Sequence, residues 1–172
     1  MEDWNEFQKF IEAAKNGRVE ELKLCLANGA NIDFKDYSGQ TALMWAAWWG
    51  HVEVCQLLLE NRCNKDITDV YGETALMWAA SRGHVEVCRL LLENSCKTDI
   101  TDRYGRTALH LAAEEGQLQT TRYLVEQGSI SPLVKTHQGK TPYDLAASRK
   151  WGQYKEVMEY LQRGLQRWLP SQ

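Results

Sequence analysis

No sign of charge dominates this chain of 172 residues. Twenty basic side chains face 23 acidic ones, for a net charge of −3. That balance lacks the basic footprint of a nucleic-acid or anionic-membrane binder. There is no apolar run near the roughly 20 residues that span a bilayer. The polar start MEDWNEF is not a signal peptide. Cysteines number five, an odd count that excludes a fully paired disulfide framework and fits a reducing compartment, cytoplasmic or nuclear. The phosphate-cradling GxGxxG and Walker loops are missing, as are HExxH and GxSxG. Carboxylates are scattered and form no catalytic pair. No enzyme, cofactor or metal is expected. A hydrophobic fraction of 44% suits a globular protein.

What is present is repetition. GQTALMWAAWWGHVEVCQLLLEN starts at Gly39, GETALMWAASRGHVEVCRLLLEN at Gly72 and GRTALHLAAEEGQLQTTRYLVEQ at Gly105. Each step is 33 residues, the period of a stacked array. GKTPYDLAASRKWGQYKEVMEYLQ follows at Gly139, one residue late because of an insertion around Ser131-Pro132. A second glycine repeats at Gly17, Gly50, Gly83 and Gly116, which makes FQKFIEAAKNGRVEELKLCLANG a degenerate first copy. Five units result, approximately 1–35, 36–68, 69–101, 102–135 and 136–172, read as one domain.

Within a unit the pattern predicts helix, tight turn, helix and extended loop. Thr41, Thr74, Thr107 and Thr141 stand where an N-cap is wanted. Gly50, Gly83 and Gly116 end the first helix, being free to take positive φ. Val54, Leu57 and Leu58 give the second helix its spacing. RCNKDITDVYG has turn formers without a helical period and suits a hairpin-like connection. Such a unit cannot bury its own apolar face, whereas a stack can.

The pattern GxTALxxAAxxGHxEVxxLLLxN at this period resembles the ankyrin repeat, with TALM, TALM, TALH and TPYD where that family usually has TPLH. The resemblance implies an all-α solenoid of helix-turn-helix units joined by hairpin-like loops, acting as a protein-binding adaptor, scaffold or inhibitor. The end units depart from it. Asn5…Gln8 around Phe7, Phe10, Ile11 and Ala14 suggests a capped first helix. The last unit carries extra residues at Lys150-Trp151. Both read as end caps.

In the helix from Thr41, Leu43, Ala46 and Ala47 form one stripe. Trp45, Trp48 and Trp49 form another, rotated by about 200°. The alanine stripe reads as core and the tryptophans as facing away. Units two and three differ at eight places: Gln40/Glu73, Trp48/Ser81, Trp49/Arg82, Gln56/Arg89, Arg62/Ser95, Asn64/Lys97, Lys65/Thr98 and Val70/Arg103. A position that takes both Trp and Arg reads as exposed, so Trp48 and Trp49 are expected to form an apolar patch. Trp45 and its copy Trp78 fit either inter-repeat packing or a groove.

The family's usual binding face is concave, built from first helices and hairpin tips. That implies Trp45, Trp48, Trp49, Trp78, Arg82, Glu114 and Glu115 from the helices, with Tyr37, Tyr71, Arg103 and Tyr104 from the tips. Such a groove runs from aromatic through basic to acidic. The expected partner is a protein or peptide, with no nucleic acid or membrane, and the chain is expected to be a monomer.

His51 with Cys55, copied as His84 with Cys88, has the i, i+4 spacing of a Cys–His nucleophile or half a zinc site. Their periodicity reads instead as buried structural thiols. Stacked helices lie roughly 8–10 Å apart, too far for a Cys63–Cys96 disulfide, which needs Cα atoms under about 7 Å apart. Tyr154, Val157, Met158, Leu161, Leu165 and Trp168 follow helical spacing as a capping or docking helix, with Gly164 expected to end or kink it. Two other readings stand beside the protein-binding one. They are a consensus-derived repeat scaffold without a physiological partner, and the recognition domain of a larger enzyme.

Overall fold

The computed structural model describes residues 4–149 and 153–170, so the Lys150-Trp151 insertion lies outside the described residues. Among the described residues ten helices occur in five pairs: α1 Trp4–Lys15 and α2 Val19–Ala27, α3 Ala42–Trp49 and α4 Val52–Glu60, α5 Ala75–Arg82 and α6 Val85–Glu93, α7 Ala108–Glu114 and α8 Leu118–Glu126, α9 Pro142–Ala147 and α10 Tyr154–Trp168. Among the described residues there are no strands, and no helix is long and apolar enough to cross a membrane.

The first helices stack in order, α1 on α3, α5, α7 and α9, and the second helices stack behind them from α2 to α10. Alanine sets this layering. Ala46, Ala47, Ala79, Ala80, Ala112 and Ala113 are fully buried, with Leu43, Leu76 and Leu109 beside them. Small side chains let helix backbones approach, and the leucines fill what remains. Val54 and Leu58, Val87 and Leu91, and Leu124 seat the second helices.

Each expected threonine caps its helix. Thr41 and Thr74 accept the N–H of Met44 and Met77 at 3.3 Å. Thr107 and Thr141 do the same for His110 and Asp144, whose side chains bond back to the threonine N–H at 3.1 and 2.9 Å. The first helix departs from expectation. It already includes Asn5 and Gln8, so neither caps it.

The turn between paired helices also joins neighbouring pairs. Gly50 and Gly83 sit at φ 72° and 76°. The ring of His51 reaches back to the Lys15 carbonyl at 3.0 Å, and His84 to that of Trp48 at 2.9 Å. Gln117 repeats the contact on Ser81 at 3.2 Å. A Cβ on Gly50 would stand 2.6 Å from His84 Nδ1. At these glycines sterics and positive φ coincide. At the far end α10 packs on α7, α8 and α9 and buries Val157 and Leu161. It runs unbroken through Gly164, which does not end it.

Candidate partner-binding surface

Every hairpin tip is a closed turn held by one side chain. Asp36 Oδ1 accepts the N–H of Ser38 and Gln40 at 3.0 and 2.9 Å. Asp69 accepts those of Tyr71 and Glu73, and Asp102 those of Tyr104 and Arg106, all at 2.9 Å. Thr136 does the same less tightly. Successive tips are stitched by Val70 N–H to Ser38 O, Arg103 N–H to Tyr71 O and His137 N–H to Tyr104 O, at 3.0–3.1 Å. With backbone and aspartate turned inward, the side chains between them turn out. Tyr37 is 88% exposed, Val70 62% and Tyr104 50%. The Arg103 guanidinium lies over both Tyr71 and Tyr104, 4.6 and 4.8 Å from the ring centres. Such contacts hold flat aromatic surface in place.

The tryptophans divide differently from the expectation. Trp78 is 7% exposed and belongs to the core. Trp45 and Trp48 both pack on it edge-to-face, with ring centres 5.4 and 5.3 Å away. Trp78 is therefore inter-repeat packing and offers no surface, because the rings before it in the stack cover it. Trp48 is half-buried for the same reason and lies under Arg82. The expected pair of exposed indoles reduces to Trp49 alone, which stands out into solvent. Trp45 is half-buried, holds Lys15 over its ring and donates Nε1–H to Asp36 Oδ2 at 3.0 Å. Beside it Phe7 stacks on Phe34, ring centres 4.3 Å apart. Together with Lys15, Tyr37 and Trp45 these rings line a cavity of about 160 Å³.

The acidic end is largely neutralised. Arg106 bonds Asp102 at 2.8 Å and Glu114 at 2.9 Å, and Arg149 bonds Glu114 at 2.7 Å. Of the two glutamates expected to give this end its sign, only Glu115 is exposed and outside those ion pairs. Two groups that sequence reasoning passed over lie next to this cluster. Glu73 approaches Arg106 only to 3.7 Å. Its carboxyl is held above the usual range by burial, then by the charge of Asp69. Asp69 Oδ2 is buried without a hydrogen-bond partner, and the buried Trp78 Nε1 makes no full hydrogen bond. The signal was available in the Gln40/Glu73 difference, since the same register reads Arg106 one repeat later.

His51 and Cys55 do not form a nucleophilic pair. The histidine ring is turned to Lys15, and burial pushes the Cys55 thiol up to about 12. Cys63 and Cys96 are raised similarly, and all five cysteines are free and buried. Low thiolate content opposes nucleophilic use. His110 is fully buried, its Nδ1 accepting from Thr107 and its Nε2 donating to the Lys140 carbonyl at 3.0 Å. Desolvation lowers its pKa and keeps it neutral. Among the described residues no three His, Cys, Asp or Glu side chains are grouped to hold a metal.

The family model for ankyrin repeats (three copies) matches residues 9–69, 61–135 and 96–166. No curated protein matches the chain.

Proposed function

The chain belongs to the ankyrin-repeat family, and from that premise we propose that it is an adaptor or inhibitor holding one protein or peptide partner across its hairpin tips and first helices. Ankyrin repeats in general are protein–protein interaction modules and typically non-catalytic. The finer reading is that residues 1–172 act as one monomeric, non-catalytic domain of five units, cytoplasmic or nuclear. Its contact residues are Tyr37, Trp49, Tyr71, Arg103 and Tyr104, flanked by Trp45, Trp48, Arg82, Glu114 and Glu115.

One observation carries it. Large apolar side chains stay exposed along one line of tips, with Tyr37, Val70, Tyr71 and Tyr104 each at least 43% exposed. The backbone beneath them is fixed by aspartate and by tip-to-tip hydrogen bonds. Rigid aromatics lose little entropy on binding and make strong anchors.

The test is capture of a partner from cell extract by wild type, Trp49→Arg and the double variant Trp48→Ser/Trp49→Arg. Both variants copy the third unit into the second, and circular dichroism checks their folding. An anchor tryptophan is worth about 2 kcal/mol or more, roughly thirtyfold in affinity. Loss of a partner by Trp49→Arg supports the reading. Equal capture by all three removes the indoles from the site, and Tyr71→Ala and Tyr104→Ala then decide whether the tips carry it.

A further inference from the structure

The four turns satisfy one register in different ways. In each, a residue four after the turn's acceptor donates its N–H to that acceptor: Gln40 to Asp36, Glu73 to Asp69, Arg106 to Asp102 and Lys140 to Thr136. The second oxygen of each aspartate then needs its own partner. Asp36 Oδ2 takes the Trp45 indole N–H at 3.0 Å, and Asp102 Oδ2 takes Arg106 Nε–H at 2.8 Å. Asp69 Oδ2 has no hydrogen-bond partner and Asp69 is only 7% exposed, while the buried Trp78 indole N–H makes no full hydrogen bond and interacts instead with the Glu73 carboxyl. In the place of a donor stands another carboxylate, Glu73.

Charge is short here as well. Among the described residues the ion pairs of Asp69, Glu73, Asp102 and Glu114 come from two cations: Arg106, bonded to Asp102 and Glu114 and 3.7 Å from Glu73, and Arg149, bonded to Glu114. A bridging water can give Asp69 Oδ2 a donor but not the missing charge. Buried carboxylates left uncompensated are costly. The Glu73 side chain is 23% exposed and forms the outer end of the pair. One repeat later the chain supplies its own complement to the same register, a guanidinium that bridges Asp102 and Glu114. Planar, forked donors suit two carboxylates better than an ammonium does.

We propose that Glu73, with Asp69 behind it, receives an arginine side chain of the bound protein or peptide. This rests on the protein-binding reading and adds a chemical requirement to it: an arginine placed between the aromatic tips and the Arg106 cluster. Glu73 makes the contact, and Asp69 adds negative potential from the interior.

The probe is the blocked tripeptide acetyl-Gly-Arg-Gly-amide, with citrulline and lysine versions as controls. The readout is the Trp78 indole N–H resonance at pH 7 and low salt. A saturable shift is expected with the arginine peptide, at least tenfold weaker with citrulline, and lost in Glu73→Gln and Glu73→Arg. These variants copy Gln40 and Arg106 from neighbouring repeats, and thermal melts verify that they fold. No saturable shift, an equal shift in Glu73→Gln, or lysine binding as tightly as arginine overturns the proposal. A partner captured in the tryptophan experiment while the arginine peptide fails leaves the broader reading intact. Arginine binding without any captured partner counts against that reading alone.

Discussion

Glu73 shows at the scale of one residue how a site can work against its own fold. Burial and the neighbouring charges of Asp69 and Asp102 raise its folded pKa, while Arg106 opposes them. Below the unfolded value near 4.3, both states hold the proton and nothing is lost. As pH rises past it, the unfolded chain ionises first, so stability falls until Glu73 ionises in the folded state too. Glu73→Gln should therefore raise Tm at pH 7 and leave it nearly unchanged near pH 3.5, read by thermal melts at both. An equal gain at both pH values would assign the effect to packing. The thiols make a second residue-scale case. With Cys55 pushed up to about 12 and Cys88 raised further still, alkylation at pH 8 should be slow until denaturant is added. Rapid labelling of the native protein would contradict the burial.

Helix ends decide more than helix interiors at the scale of the element. After α4, Arg62 takes φ 59°, with Arg62 N–H bonded to Leu59 O and Cys63 N–H to Leu58 O. This is a Schellman closure, which glycine usually fills. Ser95 repeats it at φ 59°, whereas the first pair has Gly29 there. A non-glycine residue held in that region costs about 1 kcal/mol or more, so Arg62→Gly should raise Tm by roughly 2–4 °C. Gly50→Ala should do the reverse, and by more. It meets the same φ penalty and drives a Cβ into the His84 ring 2.6 Å away, breaking the bond to Trp48 O. His84→Ala alone loses only that hydrogen bond, about 1 kcal/mol. Comparing the two melts separates the backbone term from the staple.

Stability is shared unequally over the whole molecule because, among the described residues, each pair of helices packs chiefly on its neighbours and the first and last described pairs have one such neighbour each. The closing contact at the far end is α10, anchored by Leu161 at 1% exposure and Val157 at 0%. Leu161→Ala should cost about 2–5 kcal/mol. Hydrogen exchange should quicken first in α9 and α10, while α3 to α6 keep their protection. Uniform loss of protection would show the stack to be one cooperative unit. The line of tips also exists only at this scale. It needs three backbone hydrogen bonds between successive turns, each joining residues more than thirty positions apart.

Most of the fold was legible in the chain because periodicity and caps are local. The 33-residue period, the cap threonines and the left-handed glycines determine where helices begin and end before any long-range contact forms. Alanine pairs at a fixed phase dictate which face is buried. Aromatic tips were legible for the same reason, since an aspartate closing its own turn leaves the residues between nowhere to point but outward. The tertiary structure alone decided what identical residues do in different company. Trp45 and Trp78 share a register, yet one meets Lys15 and Asp36 while the other is covered by two indoles. Asp69 and Asp102 share one as well, yet Arg106 answers only the second. Burial and charge balance depend on the preceding and following repeats, and no spacing within a single repeat records them.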